Sequence, residues 1–359
     1  MTTNATSVSK AWKPGIAGFP SLGKPPPWAG ATAAEWRDWR WQLRHRLRSP
    51  AALRRLFPDW RPAPGDARAA GRFPMAVTPY YAALIREPGD RDPIFRLCVA
   101  RAAEVDDRVF TETDPFGESG HSPLPGLVRR YRDRALVMAT RACAAYCRHC
   151  TRKHRVGRGG GAADPRRAAA WLRAHPEIRE ALVSGGDPLI LSTERLDRFL
   201  GALRAGAPNI EILRIGTRAP VVLPQRVDAP LCAMLRRHRP VWMSLHFNHP
   251  AELTAEAAAA CARLADAGVP LNNQTVLLRG VNDDAGALEA LFRGLIRMRV
   301  RPYYLFQCDP VRGVGHFRVP PARGRALMRE LRRRLTGLAV PAFVRDAAGG
   351  ESKEPMCAD

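Results

Sequence analysis

The chain has no apolar run of the length, about eighteen residues, that a membrane-crossing helix needs. Its opening stretch, MTTNATSVSKAWKPGIAGFP, lacks the continuous apolar core of a secretory signal. We therefore expect a cytoplasmic chain with no membrane partner. Acidic residues are few, 34 against 57 Lys and Arg, which leaves a net charge of +23. A surplus of this size can draw polyanions. Here the basic residues are spread along helix-like segments such as MRELRRRL (328–335), form no single basic arm, and accompany no nucleic-acid-binding motif. No nucleic-acid partner is expected. Cysteine is also sparse, with eight in 359 residues. Cys98, Cys232, Cys261, Cys308 and Cys357 are scattered, so a disulfide framework is excluded. No short internal repeat is present.

What is present from residue 135 onward is a rhythm. Strand-like apolar runs fall at 135–140, 181–186, 210–216, 241–247, 270–278 and 301–307. Helix-like segments lie between and after them, at 165–175, 194–205, 228–238, 254–267, 284–298 and 321–336. Such alternation means a parallel sheet. Six units are too few for the closed eight-stranded barrel, so the expected fold is α/β, a partial (β/α)6 TIM-like barrel with its active site at the C-terminal strand ends. Upstream, residues 1–30 are rich in Pro and Gly and read as irregular. From Thr32 a capping-box pattern opens an amphipathic helix whose tryptophans serve packing. Residues 31–130 are expected to form a helical covering region, 131–336 the barrel, and 337–359 a C-terminal segment.

Each strand-like run ends in residues capable of chemistry: a cysteine loop, SGGDP, GTR, HFNHP, NNQ and QCDP. On one sheet these converge on one mouth. The cysteine loop, RACAAYCRHCTRKHR (141–155), spaces its thiols as Cys143-x3-Cys147-x2-Cys150, with no fourth cysteine nearby. Three thiolates can hold a zinc ion with water as fourth ligand. They can also hold a cubane iron–sulfur cluster with one iron left open.

The three-cysteine spacing after a first barrel strand, followed by SGGDPL after the second, resembles the radical S-adenosylmethionine superfamily. The likeness narrows with YRDR (131–134), CRHCTRKHRVG (147–157), RIGTRAPVVLPQRV (214–227), HFNHP (246–250), NNQTVLLRGVND (272–283) and RPYYLFQCD (301–309). Together these resemble the lysine 2,3-aminomutase family. The resemblance implies a 4Fe–4S cluster on Cys143, Cys147 and Cys150, whose open iron binds S-adenosylmethionine. It implies contacts to that cofactor from Ser184, Gly185, Gly186, Asp187, His246 and Gln274. It also implies pyridoxal 5′-phosphate on the catalytic Lys353, with Arg130, Tyr131 and Arg134 around its phosphate and ring. The two arginines are spaced like one helical turn. An external one-electron reductant is expected, and a homo-oligomer is left open.

The implied reaction is an isomerisation that moves the amino group of L-lysine from C2 to C3. Arg152 corresponds to the position that grips the substrate carboxylate, a task suited to a guanidinium fork. Asp309 and Asp346 correspond to positions that hold the distal ammonium. Two carboxylates there disfavour glutamate, whose own side-chain carboxylate they would repel. The sequence departs from the family pattern at Phe306, where a tyrosine is usual, at Pro310, in GGESK before and through Lys353, and in RRRLTG (332–337). Arginine or ornithine is therefore an alternative substrate, and a catalytically weak cluster-bearing binding protein is the alternative class.

Overall fold

The computed structural model describes residues 18–347, 349 and 352–356. Among the described residues nine strands form one sheet in which neighbours in space are neighbours in sequence. They are β1 (Leu127–Val128), β2 (Arg134–Thr140), β3 (Glu180–Gly185), β4 (Ile212–Gly216), β5 (Val241–Leu245), β6 (Leu271–Leu277), β7 (Arg301–Gln307), β8 (Ala342–Arg345) and β9 (Glu354–Pro355). Strands β2 to β8 are parallel. The short β1 and β9 run antiparallel to β2 and β8 at the two ends. Helices Pro165–Arg173, Thr193–Gly206, Ala229–Arg237, Ala255–Asp266, Ala285–Arg297 and Pro321–Arg334 make the crossovers.

The local chemistry explains these boundaries. Asp164, Ser192, Asp228, Thr254 and Asp284 each sit just before a crossover helix and accept one of its free N–H groups. Along β6, Leu271, Asn273, Thr275 and Leu277 are buried towards the helices, while Asn272, Gln274 and Val276 alternate to the other face. Strand β3 does the same, with Leu182 and Ser184 on the inner face. Gln274, Val276, Leu182 and Ser184 all line a cavity. The sheet thus packs helices on one face and encloses a hollow with the other.

The expected partial barrel is borne out, and the sheet runs two strands, β8 and β9, beyond the boundary set at residue 336. Strand β8 follows the sixth crossover helix and pairs with β7 through Tyr304, Leu305 and Phe306. The segment carrying Lys353 is therefore an extension of the sheet and not a separate tail.

Before the barrel, the helix opened at Thr32 has its capping box, with Thr32 and Glu35 bonded reciprocally. It stops at Arg37, contrary to the single helix expected. Asp38 is extended (φ −81°, ψ 114°), and its carboxylate caps a second helix, Trp39–Arg44. Trp36, Trp39 and Trp41 are buried, as packing residues. Of the stretch read as irregular, residues 1–17 lie outside the described residues. Within the remainder Pro26–Trp28 forms a 3-10 turn, and Phe19 and Trp28 are buried.

Candidate active site

The loop after β2 carries the three cysteines, and the covering region holds it from outside. Tyr146 and Arg148 donate backbone N–H groups to the Ala76 and Leu97 carbonyls at 3.0 Å each. Arg46 Nη1 donates to the Cys143 carbonyl at 2.8 Å. The buried Arg148 guanidinium donates to Glu104 Oε1 at 2.9 Å and Oε2 at 2.5 Å, and Lys153 Nζ donates to Glu104 Oε2 at 3.0 Å. Burial would raise the Glu104 carboxyl, but its two cationic partners hold it below the usual range. Burial pulls Lys153 down to about 8 in spite of Glu104.

The SGGDP turn fits against that loop because it has no side chains there. Gly186 and Asp187 donate N–H groups to the Thr140 and Ala142 carbonyls at 2.6 and 2.9 Å. Gly185 adopts φ +115°, where a side chain is strained. Asp187 is buried, which raises its pKa. Its carboxylate accepts from Thr217 Oγ1 at 2.7 Å, the Arg218 N–H at 2.8 Å and the Leu189 N–H at 3.0 Å. It is thereby engaged in tying the ends of β3 and β4 together.

All sixteen residues singled out from the sequence line one cavity of about 340 Å³. Cys143, Cys147 and Cys150 stand on one side, with Ser184, Gly185, Gly186 and Asp187 beside them. His246 and Gln274 enter from β5 and β6. No group of three His, Cys, Asp or Glu side chains among the described residues converges on a single ion. Three cysteines lining a shared hollow suit a multi-iron cluster, where each would bind a different iron. Within the same cavity His149 is buried, and neither of its ring nitrogens has a partner. Its ring lies parallel to that of His246, centroids 6.1 Å apart. Burial holds His149 well below its usual pKa and His246 at about 4, so both rings are neutral. Two neutral rings, His149 with both nitrogens free to bond, fit an organic ligand with hydrogen-bonding edges.

The same cavity gathers the remaining groups. Lys353 Nζ donates to both carboxylate oxygens of Asp346, at 2.8 and 2.9 Å. Tyr131 donates its hydroxyl to Asp346 Oδ1 at 2.6 Å. Burial lowers the Lys353 ammonium against the pull of Asp346. Burial also opposes ionisation of Asp346, but Lys353, Tyr131 and Arg130 outweigh it and keep the carboxyl low. Arg134 lies over the Tyr131 ring at 4.1 Å, and Arg130 Nη2 donates to the Ala347 carbonyl at 2.8 Å. Arg130 and Arg134 are not on a helix, contrary to their spacing: Arg130 precedes a bend over residues 131–133, and Arg134 opens β2. A primary amine beside a Tyr and two guanidinium groups is a donor set suited to an aldehyde cofactor bearing a phosphate.

Asp309 follows β7 and accepts a short hydrogen bond from Thr151. Burial pushes its carboxyl up to about 6, with Asp346 adding to the effect. Asp309 and Asp346 are thus unequal. The first is held by a neutral hydroxyl, whereas the second is already ion-paired.

Besides His149, Glu118 and Arg218 line the cavity and escaped the sequence reading. Glu118 is buried and receives Arg152 Nε at 3.0 Å and Nη2 at 2.5 Å. It lies 34 positions upstream in a loop with no motif, so no local signal marks it. Arg218 belongs to the GTR run noted at a strand end, yet nothing in the run singles it out.

No family model matches the chain. Among curated proteins, it is 44% identical to the L-lysine 2,3-aminomutase of Fusobacterium nucleatum over 329 residues, 90% of this chain and 77% of that protein. It is 43% identical to the L-lysine 2,3-aminomutase of Clostridium subterminale, with 90% of this chain and 78% of that protein covered. The glutamate 2,3-aminomutase of Clostridioides difficile is 36% identical over the same shares of the two chains. With identity of this level across most of both partners, the chain belongs to the lysine 2,3-aminomutase family.

Proposed function

We propose that the chain moves the α-amino group of a basic amino acid, L-lysine foremost, from C2 to C3. The reading takes a 4Fe–4S cluster, S-adenosylmethionine and pyridoxal 5′-phosphate as cofactors. The observation that carries it is the shared cavity, whose lining includes the three cysteines Cys143, Cys147 and Cys150 and the amine-bearing Lys353. When bound, the cluster and S-adenosylmethionine supply hydrogen-atom abstraction from an unactivated carbon, and the pyridoxal ring supplies a conjugated system for nitrogen migration.

The chain's own part is to bind, orient and shield. Cys143, Cys147 and Cys150 would hold the cluster. The Gly185–Gly186 backbone, Ser184, His246 and Gln274 would hold S-adenosylmethionine, with Asp187 bracing that wall. Lys353 would hold the pyridoxal carbon, and Arg130, Arg134 and Tyr131 its phosphate and ring. Lys353 is pulled below the usual lysine range by burial, which favours the neutral, nucleophilic amine. Arg152 keeps guanidinium N–H groups beyond those given to Glu118, and these would take the substrate carboxylate. Asp309, with no cation bonded to it, is the better placed of the two aspartates to receive a distal ammonium.

The relatives' names divide between lysine and glutamate, and the two aspartates favour the basic side chain. Phe306 lies with its ring 5.0 Å from Lys353 Nζ, so the usual tyrosine hydroxyl is missing beside the amine. The test is anaerobic reconstitution with iron, sulfide and pyridoxal phosphate, then incubation with lysine, arginine, ornithine or glutamate. A β-amino acid from lysine in excess over the others is the expected product. A product from glutamate alone, or none from any of the four with the cluster loaded, would overturn the proposal.

A further inference from the structure

Arg218 follows β4 and is only 6% exposed. Four of its guanidinium N–H groups are committed inside the protein. Nε donates to the His246 carbonyl at 3.2 Å, and Nη1 to Cys147 Sγ at 2.9 Å. Nη2 donates to the Tyr81 hydroxyl at 2.7 Å and to Glu252 Oε1 at 2.6 Å. Glu252 is wholly buried and also accepts the N–H groups of Asn248 and His249, at 2.5 and 3.0 Å. The result is a buried ion pair with its positive end on a cysteine sulfur and its negative end behind.

Such a pair is costly to desolvate, and a neutral donor would satisfy a sulfur equally well as a hydrogen bond. What the guanidinium adds is charge at a fixed place in a poorly screened interior. Asp187 strengthens the placement, because its carboxylate accepts the Arg218 backbone N–H. The arginine is thus anchored at its backbone, at its far end by Glu252, and along its length by the Tyr81 ring, which lies 5.1 Å from the guanidinium carbon.

We propose that Arg218 sets the reduction potential of the cluster through Cys147. The inference rests on the reading above that Cys147 is a cluster ligand. An external one-electron donor passes one electron to the cluster, which gains one unit of negative charge, with no proton transferred. An N–H donated to a ligand sulfur and a cation beside it both stabilise the more negative state, so they raise the potential. Glu252 acts in the opposite sense and moderates the effect.

The experiment is a redox titration followed by electron paramagnetic resonance on anaerobically reconstituted protein, alongside iron and sulfide analysis. Arg218→Met keeps the unbranched stem and loses the charge. It should make reduction about tenfold less favourable, a negative shift of about 59 mV for one electron. Arg218→Lys, which can still reach sulfur with a cation, should recover most of that shift. Glu252→Gln should move the potential the other way, and it carries the test if Arg218→Met fails to fold or hold iron. A cluster with wild-type potential in Arg218→Met, or in Glu252→Gln where Arg218→Met is unstable, overturns the inference while leaving the cluster assignment intact. Absence of iron and sulfide from wild-type protein would instead overturn the reading on which it rests.

Discussion

The family resemblance gives Asp309 and Asp346 one shared task, holding the distal ammonium, and their surroundings make them unequal. Asp346 neutralises Lys353, so Asp346→Asn disturbs the amine as well as any substrate contact. Asp309→Asn is the cleaner probe. A charge-assisted hydrogen bond contributes about 1.5–3 kcal/mol, so this change should lower kcat/KM on lysine by roughly one to two orders of magnitude. Norleucine, with no terminal ammonium, should be converted equally poorly by both proteins. An equal fractional loss on lysine and norleucine would remove Asp309 from substrate recognition. The raised Asp309 carboxyl also predicts a pH dependence of stability for the chain without ligands. Folded Asp309 keeps its proton up to about pH 6, whereas the ordinary carboxyl loses it near 3.8. Between these values the folded state binds more protons, so the contribution is full below the lower one and is lost as pH rises through the upper. The loss is at most ~3 kcal/mol. Urea midpoints measured from pH 4 to pH 7 should therefore fall more steeply for wild type than for Asp309→Asn, and parallel curves would refute the shift. At this scale the sequence was legible wherever a residue sat in a spaced motif, as Cys143, Asp187 and Lys353 do. Glu118 and Arg218 were not legible as participants, because their roles come from partners brought near by folding.

Among elements, the turn after β3 is the most constrained. A Cβ on Gly186 would collide with the Ala142 carbonyl, and one on Gly185 with the Thr140 carbonyl. Both obstacles are backbone atoms, one at the end of β2 and one in the cysteine loop, so neither can swing aside. Gly186→Ala should push that loop off the strand end, with a cost of roughly 2–4 kcal/mol and a marked loss of bound iron. Gly159→Ala, which meets nothing within 4 Å, serves as the control. Equal melting temperatures and iron contents for the two variants would contradict this account. Helix ends were legible because Asp, Ser and Thr caps mark them chemically. The break at Asp38 was not, since the tryptophan spacing continues through it and an aspartate there can read as an exposed helical residue as easily as a cap. Strand β8 was missed because AFVR is four residues long and half exposed, and it is a strand only because β7 offers an edge.

Across the whole molecule, the covering region and the barrel are joined by buried charge. Glu104, before β1, is the common acceptor for Arg148 and Lys153 from the cysteine loop. Glu104→Ala would strand two buried cations and should cost about 3–5 kcal/mol. Glu104→Gln should cost less, because it keeps one acceptor. Thermal unfolding of the three proteins gives the ranking, and a Glu104→Ala midpoint equal to wild type would mean that the loop is held by its backbone bonds alone. The alternation of strands and helices was readable from end to end, because each unit repeats a local pattern. The bridge from residue 104 to residues 148 and 153 was not, as no periodicity relates them. The strictly sequential strand order has a further bearing, on how such a chain can diversify. On the proposed assignment, the ends of β2 to β6 carry the radical-forming parts, and Arg152, on the first of these loops, takes the carboxylate that every amino acid shares. The ends of β7 and β8 carry Asp309 and Asp346, which meet what differs between amino acids. Changes near Asp309 and Asp346 that spare Lys353 can therefore fall in the last stretch of the gene and leave the first untouched, so that a lineage can acquire a new substrate without disturbing the loops that make the radical.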